Sequence, residues 1–556
     1  MRRYRNRNWL LFQLARMHCP YAGWGFSPII VCMTELRSPS LIAAIDVGSS
    51  AIRMDLAEVS ADGDSRTLES LSRAVSLGKD TFTTGHLKEE TIQTTCQVLT
   101  DFARVMKNYG VARYRAIATS AVREANNADT FLDRIFLRSG IDVEVIDGSE
   151  ENRLTYMAIF QAAQGVIDLQ KRDTLVVEVG GGSTDISFLQ GGKPLHSGTF
   201  ALGAVRMRQA LVGVKGELRH RMKILERQIR NTIDTIANTI PFDQAQEIIA
   251  LGSDMRFAAR QILQSASSSE VQNCWMIDRK EFVKFCGEII RNDTDELVRR
   301  YSLSYPQAEI IAPALLAYKN IAERTKVERI HVMGVSIRAG LLLDMLQGEL
   351  RTGLDAFHEQ ILTSARALAR KYHSNESHME QVRILALALF DQLQSEHGLD
   401  RKERLFLEVA ALLHDVGTFI SDRSHHKHTQ YILSSSEIFG LSRTDMNIIS
   451  NIARYHRKSP PTRAHLPYVS LDRESRMIVS KLAAILRLAD ALDQDYSRKV
   501  RSLKILNEDD RDRYILEIEA EGDLTMERLA LESKGDMFRE IYGKPLVLRQ
   551  IEVPVP

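Results

Sequence analysis

The chain is poor in the features that mark secreted, zinc-knuckle and membrane-spanning proteins. It has five cysteines in 556 residues, an odd number with no Cys-x-x-Cys pair, which argues against a disulfide framework or a zinc knuckle and favours a reducing cytoplasm. It contains no apolar run long enough to span a membrane. Its formal net charge is only +1, so any surface that binds a polyanion must be a local basic patch.

The composition is that of an ordinary globular protein, with 44% hydrophobic and 26% charged residues. A chain of 556 residues exceeds a single hydrophobic core and predicts three or four domains. A basic start followed by Trp9 to Phe12 resembles a signal peptide, but Arg16 and His18 interrupt the apolar stretch. We therefore expect residues 1–40 to be a disordered extension or a misassigned start, with translation beginning at Met1 or at Met33.

Two short glycine-containing segments each follow an apolar run. They are Asp46-Val47-Gly48-Ser49-Ser50, after Leu41 to Ile45, and Glu178-Val179-Gly180-Gly181-Gly182-Ser183-Thr184-Asp185, after Thr174 to Val177. Such segments are typical of a buried strand that turns sharply and leaves backbone N–H groups free to approach an anion. Either segment alone could be an ordinary turn. Together they predict two loops that face each other across a phosphate-binding cleft.

The side chains of these two loops have two predicted roles. The small and hydroxyl residues are candidate phosphate ligands: Gly48, Ser49, Ser50, Gly180, Gly181, Gly182, Ser183 and Thr184. The carboxylates are candidate ligands of a hard cation such as Mg²⁺, directly or through waters: Asp46, Glu178 and Asp185.

Strand-like and helix-like segments alternate from Leu41 onward, which indicates an α/β layer structure with crossover helices. The pattern restarts at Thr174, so we expect two lobes. Apolar positions at helical spacing then predict an all-helical domain, and late strand signals predict a small α/β tail. The expected domains cover residues 41–168, 169–348, 349–497 and 498–556.

Glu151 is the candidate general base. Hydrolysis of a phosphoanhydride requires charge neutralisation, a positioned water and a group that takes its proton. Glu151 follows the strand-like Val143 to Ile146, so it lies at the carboxyl end of a strand, where open α/β sheets place their sites. The alternative is structural: Ser149 would cap a helix, with Glu150 and Glu151 as acids of its first turn.

Arg123 is the candidate phosphate-binding arginine. It follows the strand-like Tyr114 to Ala118, and a forked guanidinium suits a terminal phosphate. A surface salt bridge is the alternative for this residue.

Ordered motifs resemble the exopolyphosphatase / guanosine pentaphosphate phosphatase (Ppx/GppA) family, a branch of the actin-like, sugar-kinase and Hsp70 ATPase superfamily. They are the loop Asp46 to Ser50, Ala118 to Asn127, Gly148 to Arg153, the triple-glycine loop, and Leu202 to Arg206. The resemblance implies two actin-like (ribonuclease H-like) lobes around a phosphate site, with Mg²⁺ and a homodimer. It also maps the catalytic glutamate onto Glu151.

The chain departs from the family pattern at two places. Glu178 stands where the pattern usually has Asp, and Asp185 where it has Glu, which we interpret as a compensating exchange that keeps one metal position. Asp254 follows Gly252 and Ser253 where relatives typically carry a Gly-Thr pair, and it adds negative charge near an anionic substrate.

The helical region resembles HD-type phosphohydrolases. His378, His414-Asp415 and Asp490 occur in the order of the metal ligands of that group, and His428 and His456 are further candidates. Imidazole and carboxylate together suit a transition metal such as Mn²⁺ better than Mg²⁺. The alternative is a scaffold in which His425 to His428 and Arg454 to Lys458 form a basic patch that grips polyanions.

The sequence thus predicts a cytoplasmic exopolyphosphatase that removes terminal phosphate from inorganic polyphosphate and has neither nucleic acid nor a membrane as partner. Guanosine pentaphosphate (pppGpp) 5′-phosphatase activity would use the same residues. A kinase of the superfamily is a further alternative, and it would need an adenosine pocket. A non-catalytic sensor of polyphosphate or an alarmone is the alternative outside enzymes, and a carboxylate aimed at an anion argues against it.

Overall fold

A computed structural model describes residues 40–60, 65–263, 273–347, 353–508 and 511–551. The expected N-terminal extension and the question of the start codon fall on residues 1–39, outside this set. Within these ranges, every helix is too short or too polar to cross a bilayer.

The first lobe is a five-stranded sheet in the order β3-β2-β1-β4-β5. Its central strand is apolar and buried, pairs antiparallel with β2 and runs parallel to β4. The strands are β1 (Ser40–Val47), β2 (Ala51–Val59), β3 (Ser65–Ala74), β4 (Arg113–Ala118) and β5 (Val143–Val145). The helices are α1 (Leu77–Thr84), α2 (Glu89–Tyr109), α3 (Ser120–Arg123), α4 (Ala128–Ser139) and α5 (Gly148–Ala162).

The second lobe is a six-stranded sheet in the order β10-β11-β9-β6-β7-β8. Its strands are β6 (Thr174–Val179), β7 (Thr184–Gln190), β8 (Lys193–Phe200), β9 (Glu247–Ala250), β10 (Cys274–Asp278) and β11 (Arg329–Met333). Its helices are α6 (Ala204–Ala210), α7 (Leu218–Ile236), α8 (Ser253–Leu263), α9 (Arg279–Arg291), α10 (Thr294–Tyr301), α11 (Tyr305–Glu323) and α12 (Ile337–Gln347), with a 3₁₀ turn at Phe242–Gln244. The run β8-β7-β6-β9-β11 repeats the order and strand directions of the first lobe, so the expectation of two lobes built alike is confirmed.

The third region is helical and ends in a small α/β unit, as expected. The helices are α13 (Gly353–Lys371), α14 (Glu376–Gln392), α15 (Gln394–His397), α16 (Arg401–Leu413), α17 (His425–Ser434), α18 (Arg443–Arg454), α19 (Leu466–Val469) and α20 (Arg473–Ala491), with a 3₁₀ turn at Val416–Phe419. The tail adds β12 (Val500–Glu508), β13 (Arg513–Ala520), α21 (Thr525–Lys534), α22 (Asp536–Tyr542) and β14 (Leu546–Ile551).

One hydrophobic core joins the first lobe to the helical region. It runs from Ile42 on β1 through Leu154 on α5 to Leu482 on α20 and Leu516 on β13. Where α12 crosses α5, the two backbones touch, because a Cβ added to Gly340 would lie 1.9 Å from the carbonyl oxygen of Leu154. Only glycine fits there, and because α12 also packs on β1 and β2, this contact fixes the position of α5 within the first lobe.

The sequence pattern did not reveal four strands, and all four lie at sheet edges: β3, β8, β10 and β14. The sequence of β3, SRTLESLSRA, has only two large apolar residues. An edge strand packs on fewer neighbours than a central one and does not need the continuous apolar run that identifies a buried strand.

Candidate active site

The two glycine loops face each other in contact, as predicted. A Cβ on Gly181 would lie 2.8 Å from the Cβ of Ser49, and one on Gly182 would lie 2.3 Å from the Oγ of Ser120. The hydroxyls of Ser49 and Ser120 are themselves 3.3 Å apart. Gly180, Gly181 and Gly182 lie outside the left-handed region, so at Gly181 and Gly182 the missing side chain serves the close approach of the two lobes.

The backbone of both loops is arranged to receive an anion. The carbonyl groups of Gly180 and Gly181 accept hydrogen bonds from the amides of Ala204 and Val205 at the start of α6, both at 2.8 Å. Among the described residues, five loop amides find no protein acceptor: those of Ser49, Ser50, Gly181, Gly182 and Ser183. Five free N–H groups from two loops form a concave donor surface of the kind that binds phosphate.

A cavity of about 190 Å³ lies between the loops. It is lined by five carboxyl groups (Asp46, Glu151, Glu178, Asp185, Asp254) and by three guanidinium groups (Arg53, Arg256, Arg338). The predicted loop residues Gly48, Ser49, Ser50, Gly180, Gly181, Gly182 and Ser183 line it as well. Thr184 does not, because its side chain is fully buried and its hydroxyl donates to the carbonyl of Leu202.

Glu151 is buried in this cavity near the start of α5. Burial raises the pKa of its carboxyl to about 8, the charge of Asp185 adds to the rise, and the guanidinium of Arg123 opposes it. A carboxyl with its pKa near neutrality suits a group that must take a proton from water.

The structural alternative for this turn is wrong about the cap, whereas Glu150 and Glu151 do lie in the first turn of α5. The residue that caps α5 is Asp147, whose side chain accepts from the amide of Glu150 at 3.0 Å, whereas Ser149 donates its hydroxyl to the carbonyl of Ile438. Glu150 pairs with Arg153 at 2.7 Å, which gives it the structural role expected of a first-turn acid. Glu151 is left pointing into the cavity.

Arg123 contacts the candidate base. Its Nη1 donates to Glu151 Oε1 at 2.6 Å and to the carbonyl of Ile146 at 2.5 Å. It does not line the cavity between the loops and lines instead a second cavity of about 410 Å³. In this conformation Arg123 therefore orients Glu151, and the phosphate contact predicted for it is not made within the first cavity.

The second cavity adjoins the first and reaches the helical region. Ser183 lines both cavities. The lining of the second includes Ser434, Ser435 and Ser436, the charged residues Glu124, Asp147, Glu437 and Arg443, and the apolar Phe200, Leu441 and Met446.

The exchanged carboxylates Glu178 and Asp185 are directly opposite each other on β6 and β7. Burial raises the pKa of each to about 7. The hydroxyl of Thr199 donates to Asp185 at 2.6 Å and fixes its orientation. Because Glu178 and Asp185 form one cross-strand pair, the exchange still leaves one glutamate and one aspartate at this place.

The carboxylates of the first cavity fit a hard divalent cation. Burial raises the pKa of Asp46 and that of Asp254, the latter to about 6, although Arg53 lies close to both. Five carboxyl groups face three guanidinium groups, so acidic side chains outnumber cationic ones in the cavity. All of the donors are oxygens, which Mg²⁺ prefers. Among the described residues, no three of these carboxylates bring ligand atoms within 4.8 Å of one another, so water molecules would complete the coordination.

Sequence reasoning missed the three arginines of the cavity. They come from β2, α8 and α12 and converge only in the folded chain. Arg338 donates to Asp55 at 2.8 Å and lies 3.7 Å from Asp46. Only the position of Arg53 could have been predicted from the sequence. It lies three residues after the first glycine loop, and it alternates with the apolar residues of β2, so its side chain lies on the opposite face of the strand.

A second cluster of chemically active side chains lies in the helical region. The predicted His378, His414, Asp415, His456 and Asp490 come together there, with His378 Nε2 3.2 Å from His414 Nε2 and 3.5 Å from Asp490 Oδ1. His428 is not among the residues of this cluster: the imidazole next to His456 and Asp415 is that of His425, at 3.1 Å and 3.3 Å. His425 is the first residue of α17 and His428 lies nearly one turn later.

Comparison with known proteins agrees with this architecture. The sequence profile of the Ppx/GppA phosphatase family matches residues 58–349, and that of Ppx/GppA phosphatase, domain III, matches residues 362–533. An exopolyphosphatase from Cytophaga hutchinsonii is similar in structure, with a TM-score of 0.51 and 21% identity over 56% of this chain and 98% of that one.

Two further solved structures are similar over a comparable share of the chain. An exopolyphosphatase-like protein has a TM-score of 0.50 and 20% identity over 56% of this chain and 99% of that one. The Ppx/GppA protein of Aquifex aeolicus has a TM-score of 0.48 and 23% identity over 57% of this chain and all 100% of that one. The lobes have the actin-like fold expected of them, and the family profile covers more than half of the sequence. The chain therefore belongs to the Ppx/GppA phosphatase family.

Proposed function

We propose that the protein is an exopolyphosphatase that hydrolyses the terminal phosphoanhydride bond of inorganic polyphosphate in the cleft between its two lobes. The observation that carries this proposal is the position of Glu151, a buried carboxyl in a cavity whose other walls are two loops with free amide groups. The relatives named above as exopolyphosphatases support the same substrate class.

The chemistry follows from the charges and donors of the cleft. The free amides of Gly181, Gly182 and Ser183 would bind the oxygens of the terminal phosphoryl group, and those of Ser49 and Ser50 would bind it from the opposite lobe. Glu151 would accept the proton of the attacking water while the terminal P–O bond to the chain breaks. Arg123 would keep the carboxylate of Glu151 oriented.

Mg²⁺ would be held by Asp46, Glu178 and Asp185 and would neutralise phosphate charge when bound. The residues Asp46, Arg53 and Arg338 already form a charge network at 3.7 to 3.8 Å, so this side of the cavity is preorganised for a charged ligand.

Two features of the second cavity bear on the substrate. Arg123 and Arg443 line this cavity and suit the oxygens of a polyphosphate chain that continues beyond the cleft, and a cation would offset the carboxylates of the same lining, Glu124, Asp147 and Glu437. Phe200, Leu441 and Met446 line the same cavity and could contact a purine base, which makes pppGpp the second candidate substrate.

The test is a comparison of phosphate release from long-chain polyphosphate and from pppGpp, measured with malachite green, with and without Mg²⁺. We expect Mg²⁺-dependent release from polyphosphate, lost in Glu151→Gln and retained in Glu150→Gln, its neighbour on α5. A kcat/KM higher for pppGpp than for polyphosphate would assign the nucleotide reaction. Phosphate release from neither substrate, or release unchanged in Glu151→Gln, would refute catalysis in this cleft.

A further inference from the structure

Asn152, the residue after Glu151 on α5, is a buried polar side chain to which the proposed chemistry gives no role. Only 4% of its surface is exposed, and α5 packs here on β7 and β8 of the second lobe. An asparagine side chain offers two N–H donors and an acceptor oxygen, and each costs free energy when it is buried without a partner. The partners of these groups therefore indicate what Asn152 does.

The amide group of Asn152 has one orientation that satisfies its neighbours. Its Nδ2 lies 2.9 Å from the carbonyl oxygen of Gly148, which only accepts hydrogen bonds, so the NH₂ group faces that side. The second hydrogen of Nδ2 is donated to Thr199 Oγ1 at 3.2 Å. The Oδ1 atom accepts from the hydroxyl of Ser187 at 3.3 Å. Both hydrogens and the oxygen thus have partners.

This orientation decides where the hydroxyl of Thr199 sends its proton. Thr199 Oγ1 accepts from Asn152 and lies 2.6 Å from Oδ1 of Asp185. A hydroxyl has a single hydrogen, and since Thr199 accepts from Asn152, that hydrogen is donated to Asp185. The hydrogen bonds therefore run in one direction, from Ser187 to Asn152, on to Thr199 and finally to Asp185, and bonds in such a chain polarise one another.

The chain of hydrogen bonds joins the two lobes. Asn152 lies on α5 of the first lobe, whereas Ser187 and Thr199 lie on β7 and β8 of the second. The first turn of α5 approaches β8 so closely that a Cβ on Gly148 would lie 2.1 Å from Thr199 Oγ1. A side chain at position 148 would displace the hydroxyl that contacts Asp185.

The space behind Asp185 is nearly closed. A cavity of about 10 Å³, the size of one water molecule, lies behind Asp185 and Glu178 and is lined by Asn152 and Ser187. A space of this size does not admit a carboxylate group, so it gives Asp185 no second position. Truncation of Asn152 would enlarge that space and remove the donor that orients Thr199.

We propose that Asn152 is a positioning residue of the cleft, which acts through Thr199 to fix the carboxylate of Asp185 in the orientation that binds the divalent cation. The inference rests on the proposed function, in which Asp185 is one of the Mg²⁺ ligands. A hydrogen bond that holds a metal ligand from behind contributes about 10- to 100-fold to metal affinity. Because Asn152 and Glu151 are consecutive residues of α5, the same contact sets the cation ligand of the second lobe relative to the base of the first.

The test is Mg²⁺ binding by the full-length chain, measured by isothermal titration calorimetry, which requires no turnover. The proteins used for calorimetry carry Asp415→Asn, so that a metal at the histidine cluster contributes less heat. We expect Asn152→Ala and Thr199→Val each to weaken Mg²⁺ binding about tenfold, and Thr199→Ser, which keeps the hydroxyl, to bind within about twofold of the reference. Asn152→Ala combined with Thr199→Val should bind no more weakly than Thr199→Val alone, because both changes act through one hydrogen bond.

Asn320→Ala is the matched control. Asn320 is also 4% exposed, lies on α11 and, like Asn152, donates to the carbonyl four residues earlier, that of Leu316 at 2.8 Å. It is absent from the lining of the cleft. Its truncation removes a buried amide of the same kind, so it should lower Tm as Asn152→Ala does and leave Mg²⁺ binding unchanged.

Phosphate release separates a positioning role from a structural one. In Asn152→Ala, the Mg²⁺ concentration for half-maximal release should rise about tenfold. The kcat at saturating Mg²⁺ should stay within a few-fold of wild type, because the bound cation then orients Asp185 itself. A residue with a structural role alone would lower kcat at every Mg²⁺ concentration, and that result would contradict the inference.

Three calorimetric results would overturn the inference: unchanged Mg²⁺ binding in Asn152→Ala, an equal loss of binding in Asn320→Ala, and additive losses in the double variant. Absence of Mg²⁺ binding by the reference chain, with phosphate release retained, would overturn it as well and leave the proposed reaction standing. Mg²⁺ binding weakened as expected, in a protein that releases no phosphate, would support the positioning of Asp185 and refute the proposed reaction.

Discussion

The cleft between the lobes and the histidine cluster of the helical region are two groups of ionisable side chains built on different parts of the fold. The cleft combines amide and carboxyl groups with three guanidinium groups, and its carboxyl groups come from β1, β6 and β7 and from the helices α5 and α8. The histidine cluster offers four imidazoles whose nitrogen atoms lie within about 4 Å of a shared carboxylate. The difference lies in the elements that carry the side chains: the histidine cluster is built on helices that share one hydrophobic core, whereas the side chains of the cleft come from both lobes.

The largest expected effect separates the two sites completely. Glu151→Gln should lower phosphate release from polyphosphate by about 10² to 10⁴, because an amide does not accept the proton of the attacking water. Asp415→Asn should leave that rate within a few-fold while lowering the amount of Mn²⁺ that the chain binds. Phosphate release and metal content are measured on both variants. If Asp415→Asn abolished phosphate release as well, the two sites would act as one and the comparison would fail.

The second effect concerns the cross-strand pair of the cleft. Glu178→Asp and Asp185→Glu should each lower Mg²⁺-dependent phosphate release by about 10- to 100-fold, because each moves a carboxylate by one methylene. The double variant should recover to within a few-fold of wild type, since Glu178 and Asp185 face each other and the exchange restores one long and one short acid. A Mg²⁺ titration of all four proteins measures this. A double variant weaker than both single variants would exclude compensation.

The third effect is on the pH dependence of the cleft. Burial raises the pKa of Glu151 to about 8, so its carboxylate, and with it the rate, should increase as the pH rises toward 8. Arg123 lowers that pKa, so Arg123→Gln should move the rising limb of the pH profile to higher pH and reduce kcat/KM at pH 7 by about tenfold. Arg134→Gln, which removes an ion pair with Glu89 on the surface, is the control. An Arg123→Gln profile whose rising limb stays at the wild-type pH would contradict the orienting role.

The smallest effect is on stability. Glu151, Glu178 and Asp185 have pKa values raised to about 7 or 8 in the folded protein, so the folded state retains protons that the unfolded state has lost. Without a divalent cation, the free energy of unfolding should therefore fall as the pH rises from about 4.5 to 8. Mg²⁺ should raise Tm by about 5 °C at pH 8 and by less at pH 5. Differential scanning fluorimetry measures both, and an equal gain at the two pH values would argue against Mg²⁺ at these carboxylates.

The sequence was sufficient to predict the features that consecutive residues form by themselves. Strand β6 and the glycine loop that follows it occupy about ten consecutive residues. The apolar run before Glu178 and the glycines after it therefore predict a phosphate-binding loop from the local sequence alone. The same holds for Glu151, whose position follows from the end of β5.

The rest depends on contacts that no local pattern encodes. Arg256 and Arg338 reach the cleft from α8 and α12, and the role of Arg123 depends on the rotamer that turns it toward Glu151. His425 and His428 are three residues apart on one helix, and only the packing of α17 decides that His425 meets Asp415. Edge strands such as β3 were not predicted because their own sequences contain too few large apolar residues to indicate a strand.

The crossing of α5 and α12 has a mechanical consequence. Since the carbonyl of Leu154 occupies the space beside Gly340, the helix that carries Glu151 cannot slide along its neighbour without a steric clash. Because α12 also packs on β1 and β2, this crossing anchors α5 to the first sheet. Glu151 lies less than one turn from Leu154, so we expect it to keep its place on the first lobe in any movement of the second.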